Sequence, residues 1–139
     1  MALRPTHVLD TSAVVAYLKG EPGADVFAAI LAEEQNILAI HAVNLCEIYY
    51  NYLRDDGLEI AGEAWRQVTS FATIIERLDE PFMKRVGRWK GIEGLGLGDA
   101  FAAATAEEFG VPLIATDHND FDPIEAKGLL KLTWLRPRV

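Results

Sequence analysis

The sequence predicts an α/β domain with a mostly parallel central sheet and helices on both faces. Two observations carry this. Short apolar runs of strand length alternate along the whole chain with amphipathic runs of helix length. The 139 residues are enough to bury a core without disulfides or a structural metal, and no linker or internal repeat divides them. We expect a single domain over residues 1–139.

The elements follow in order. "THVLD", 6–10, reads as a short buried strand, and "SAVVAYLK", 12–19, as a helix that "GEPG" stops. A second helix is expected from about Ala24 to Glu34. "NILAI", 36–40, has the branched residues and length of a strand. Residues 42–54 read as a helix with Val43, Cys46, Glu47 and Tyr50 on one face. A further helix spans about 58–70, and "TII", 73–75, is a short strand. "PFMKRVGRWKG" has proline near its start and glycine at its end, as helices prefer. "GLGLG", 94–98, reads as a flexible connector, "DAFAAATAEEF", 99–109, as a helix closed by Gly110, and "VPLIAT" as a strand. The stretch "DHNDFDP" reads as a loop, and "LKLTWL", 130–135, as the last strand.

Composition narrows the function. The net charge is −8, which argues against a binder that relies on non-specific attraction to nucleic acid. An enzyme touching few phosphates stays open. Uncharged apolar stretches fall short of the about 18 residues of a membrane span. The start "MALRPTHVLD" has no secretory pattern, and Cys46 is the only cysteine. The expected location is the cytoplasm.

The informative residues are acids where strand-end or core residues belong. Asp10 ends the first strand, and Asp117 ends the strand "PLIAT" in the equivalent place. Asp99 opens a helix whose Ala102, Ala103 and Ala106 invite close approach. Glu47 interrupts an apolar helix face. Each has a bland reading: helix caps for Asp10 and Asp99, an Asx-turn for Asp117, a solvent-reaching stem for Glu47. Together they are less easily dismissed. Two carboxylates about 4 Å apart repel by roughly 1–4 kcal/mol, depending on local dielectric. A divalent cation is the natural counter-charge, and oxygen-only donors favour Mg²⁺ or Mn²⁺. No zinc, P-loop, dinucleotide or nucleophile-elbow motif is present.

With these acids in hand, the chain resembles a PIN-domain ribonuclease, specifically the VapC toxins of toxin–antitoxin pairs. The matching stretches are "VLDTSAVVAYLKGEPGA", "AVNLCEIYYNYL", "LGLGDAFAAATAEEFGVPLIATD" and "HNDFDPI", in the family's order. The resemblance implies a PIN-like fold and metal-dependent endoribonuclease activity, leaving a 3′-hydroxyl and a 5′-phosphate. It implies Asp10, Glu47, Asp99 and Asp117 as catalytic metal ligands, with Ser12 as a supporting hydroxyl. Many relatives carry a hydroxyl two residues before the fourth acid. Here Ala115 stands there and Thr116 directly precedes Asp117, so Thr116 is a supporting candidate and Asp120 an alternative fourth acid. Asp122 and His118 are read as bystanders. Arg85, Arg88 and Lys90 are candidates for RNA contact, with Trp89 free to stack on a base. The resemblance also implies a VapB-like antitoxin and a homodimer, for which "AVVAYL" and "EIYYNYL" offer apolar surface. Competing readings are a catalytically silent PIN-like module binding RNA or protein, and a phosphate-transfer α/β domain.

Overall fold

The alternation becomes five strands and seven helices in the computed structural model, which describes residues 4–138. Residues 1–3 and 139, the ends of the expected domain, lie outside the described residues. The strands are β1 (His7–Leu9), β2 (Leu38–His41), β3 (Ala72–Ile75), β4 (Leu113–Ala115) and β5 (Leu132–Trp134). They form one sheet in the order β3-β2-β1-β4-β5, and every pairing is parallel. The chain leaves β1 toward β2 on one side and later fills the other side with β4. The β1/β4 boundary is therefore the topological switch point, where α/β sheets open a crevice beyond their carboxyl ends.

Strand alternation divides the core. Val8, Ala39, Leu113 and Ala115 point to one face, and Leu9, Leu38, Ile40 and Ile114 to the other. The first face is covered by α5 (Glu80–Gly91), α6 (Leu97–Phe109) and α7 (His118–Ala126). The second is covered by α1 (Thr11–Lys19), α2 (Ala24–Ala32), α3 (Ala42–Asp56) and α4 (Leu58–Phe71). Helix α6 is rich in alanine, and Ala100, Ala102, Ala103, Ala104 and Ala106 are buried. This lets it lie close under β1 and β2 and against α3.

Junctions set the site. His41, fully buried, ends β2 and caps α3 by accepting the Val43 N–H at Nδ1 over 3.1 Å, so Nε2 donates to the Arg77 carbonyl at 2.9 Å. Burial lowers its pKa and keeps the ring neutral. This fixes where α3, and hence Glu47, begins.

Several expectations need correction. The stretch after β4 is helix α7, not a loop. Asp117 caps it by accepting the Asp120 N–H, and Pro123 inside it removes only one donor. "GLGLG" is not a free connector: Leu95 is buried, and Leu97 and Gly98 already belong to α6. The core stripe of α3 is Leu45, Ile48 and Tyr52, displaced from the expected face, because α4 packs there. Cys46 and Tyr50 are exposed instead. In "AVVAYL", Ala13, Val14 and Ala16 are core residues and cannot form a partner groove.

Candidate active site

Asp10, Glu47, Asp99, Asp117 and Asp120 all line one cavity of about 380 Å³, together with Thr11, Ser12, Thr116 and Arg136. The cavity opens at the carboxyl ends of β1 and β4. Asp10 stands at the N-cap position of α1 but does not cap it. Ser12 Oγ donates to its Oδ2 at 2.6 Å, while its Oδ1 is buried with no hydrogen-bond partner. Such an orphaned carboxylate oxygen is costly unless a ligand or ion meets it.

Glu47 arrives from α3, held by neighbours that sequence reasoning missed. Thr11 Oγ1 donates to its Oε1 at 2.8 Å, and Asn44 Nδ2 donates to the same oxygen at 3.0 Å and to the Gly98 carbonyl at 2.9 Å. Asn44 is fully buried. It lies three residues before Glu47, on the same helix face, and that spacing is the signal that could have found it. Gly98 permits the close approach of α6 to α3, since a Cβ there would overlap the Glu47 carboxylate.

The other acids form a chain of contacts. Asp99 neighbours Asp10 and Asp120, and Asp120 neighbours Asp117, closely enough for each to shift the next one's protonation. Desolvation by burial, then the Asp10 charge, pushes Asp99 up to about 8. Asp10 is pushed up to about 6, chiefly by burial. Asp120 is also raised, by desolvation and then its contact with Asp117. No three His, Cys, Asp or Glu side chains among the described residues form a finished cage around one point. The expected four-acid cage is present as residues lining one cavity, not as an assembled coordination shell.

The basic candidates lie elsewhere. Arg85 and Arg88 pair with Glu107, and Arg85 also with Glu108, near the end of α6 remote from Asp99. Trp89 is buried and donates Nε1–H to Glu107 at 3.0 Å, so it has no free face for a base. Lys90 is exposed and lines neither this cavity nor its neighbour. The cation at the acids is Arg136, which no local signal marked.

The family model for the PIN domain matches residues 7–127. The chain belongs to the PIN-domain family. It is 32% identical over 117 residues to Ribonuclease VapC42 of Mycobacterium tuberculosis, covering 77% of this chain and 87% of that protein. Among solved structures, DNA-bound VapBC from Salmonella typhimurium matches this PIN domain with a TM-score of 0.74, covering 95% of this chain and 99% of that one at 13% identity. VapBC2 from Rickettsia felis, bound to a promoter DNA fragment, gives 0.72, covering 92% and 97% at 21% identity. At these identities the structural likeness is one of fold. Among the described residues, no helix of the PIN domain is long and apolar enough to cross a membrane.

Proposed function

We propose that the protein is an endoribonuclease that hydrolyses RNA phosphodiester bonds with a divalent cation, Mg²⁺ or Mn²⁺, as the toxin of a toxin–antitoxin pair. The observation that carries this reading is the buried, unpartnered Oδ1 of Asp10 in a cavity lined by five further carboxylates, Glu21, Glu47, Asp99, Asp117 and Asp120. The resemblance to a VapC ribonuclease over most of the chain agrees with it.

The donor set fits such a cation. All candidate ligands are hard oxygens, which suit Mg²⁺ or Mn²⁺. Asp10, Glu47, Asp99 and Asp117 would hold it. When bound, it supplies a water of lowered pKa and neutralises charge on the scissile phosphate. The chain does the rest. Ser12 occupies one Asp10 oxygen and leaves the other without a hydrogen-bond partner. Thr11 and Asn44 fix Oε1 of Glu47 and leave Oε2 for the site. Asp120, exposed and neighbouring both Asp99 and Asp117, would accept the proton that the attacking water gives up. Water adds to phosphorus, the 3′-oxygen leaves as a hydroxyl, and the 5′-phosphate remains on the other fragment.

No lysine lines the cavity, which disfavours phosphate transfer to Asp10. In this reading the cognate antitoxin and a second copy of the chain cover apolar surface on α3 and α4, where Leu53, Leu58, Ile60 and Trp65 are exposed. Asp10→Asn and Asp99→Asn should each abolish EDTA-sensitive RNA cleavage while circular dichroism stays unchanged. Full activity in both would sink the assignment, and metal-independent RNA binding without cleavage by the wild type would favour a silent binding module.

A further inference from the structure

Six carboxylates, Glu21 among them, line the acidic cavity and repel an RNA backbone, and the arginines of α5 are committed to Glu107 and Glu108. Some other cation must hold the strand. A second cavity, of about 370 Å³, adjoins the acidic one and shares Ser12, Thr116, Asp117 and Arg136 with it. Arg136 is the only Lys or Arg among the residues that line the acidic cavity.

The way Arg136 is mounted is distinctive. Its backbone carbonyl lies 2.9 Å from Nε2 of His118. The His118 ring stacks on Trp134 with centroids 3.7 Å apart, and its Nδ1 lies 2.8 Å from Asp122, which also binds Arg138 at 3.0 Å. Leu135 packs so closely on Gly23 that a Cβ on the glycine would meet it at 2.8 Å. The C-terminal segment is therefore pinned from both sides, and the two expected bystanders of α7 do the pinning. The side chain is held more lightly. Nη1 donates to the Pro22 carbonyl at 3.2 Å and makes a long ion pair, 3.8 Å, with Glu21, which also lines the acidic cavity. Among the described residues the other guanidinium N–H groups have no protein partner. A backbone fixed in place with a planar donor fork left open suits a phosphate.

We propose that Arg136, with the Ser12 and Thr116 hydroxyls, forms a subsite for a phosphodiester group of single-stranded RNA next to the one being cut. His118 acts as the positioning residue behind Arg136. The proposal rests on the ribonuclease reading.

The test uses the full chain carrying Asp99→Asn, which prevents turnover, and a fluorescent single-stranded RNA titrated at several KCl concentrations. Arg136→Met should weaken binding about tenfold and reduce the slope of log affinity against log salt by about 0.7, the loss of one phosphate contact. Arg136→Lys, which keeps the charge and the reach to Pro22, should fall between. In the protein with Asp99 intact, Arg136→Met should raise KM while kcat stays within about twofold. His118→Gln should also raise KM, and should add nothing once Arg136 is replaced. Unchanged affinity and salt slope in both Arg136 variants, alongside normal wild-type cleavage, would overturn the subsite and leave the ribonuclease reading standing. A wild-type protein that cleaves no RNA with Mg²⁺ or Mn²⁺ would overturn that reading and the subsite with it.

Discussion

Asp10 and Asp99 hold protons in the fold that they release in the unfolded chain, because burial, helped by the charge of Glu47 on Asp10 and of Asp10 on Asp99, raises them to about 6 and about 8. Both values exceed an ordinary carboxyl pKa, so the metal-free fold loses stability as pH climbs from about 4 toward 8. Melting curves without divalent ions should show a lower Tm at pH 8 than at pH 6, and Asp99→Asn should shrink that difference. A Tm that rises over this interval would contradict the raised carboxyls. Gly98 gives a second prediction at the same scale. Gly98→Ala favours helix α6 by up to about 1 kcal/mol, yet its Cβ displaces the Glu47 carboxylate. RNA cleavage should fall at least about tenfold with Tm nearly unchanged, and an active Gly98→Ala protein would show that Glu47 need not stay where it is.

Helices α5 and α6 are joined by charge above a buried ring. Glu107 accepts from Arg85, Arg88 and the indole of Trp89, and Glu108 pairs with Arg77 and Arg85. The surface ion pairs are worth little singly. The indole bond is different, since Trp89 is 2% exposed. Glu107→Ala should cost about 1–3 kcal/mol in denaturant unfolding, because the Nε1–H loses its partner inside the core. The same variant should leave KM for RNA unchanged, since α5 faces away from the acids. A large rise in KM would return the α5 arginines to the substrate path. Helix α7 carries the opposite lesson. Read as residues in a loop, Asp117, His118, Asp120 and Asp122 look like scattered polar groups. As one helix turn and more, they divide into two acids facing the cavity and a His–Asp pair facing the tail.

At the scale of the whole molecule, metal and fold are linked. A cation that binds only the folded chain stabilises it, and it displaces the protons shared among the acids. Adding Mn²⁺ should therefore raise Tm more at pH 8 than at pH 6, and no shift at either pH would remove the metal from the proposal. The exposed apolar residues of α3 and α4 make the partner reading testable as well. Leu58 is 70% exposed, so Leu58→Asp should lower the oligomeric mass seen by light scattering, or antitoxin capture, without reducing cleavage. An unaltered mass and unaltered antitoxin capture would place the partner surface elsewhere.

The alternation of strand and helix, the four acids in order and the resemblance they carry were all legible in the chain, because periodicity and strand-end placement are local properties. The family membership expected from that pattern is borne out. Which side chains serve the acids was not legible. Asn44 binds Gly98, 54 residues away, and Arg136 reaches Pro22, 114 residues away. The pairing of Arg85 and Arg88 in α5 was equally illegible, because a cation's surroundings depend on which carboxylate it finds, and here that is Glu107. Local pattern in the chain was enough to read the fold class and the acids that end its strands. Which oxygen of Asp10 is left without a partner, and which arginine shares its cavity, emerged only from the folded arrangement. Both depend on contacts between elements far apart in the chain, made only when the sheet brings β1, β4 and the C-terminal segment together.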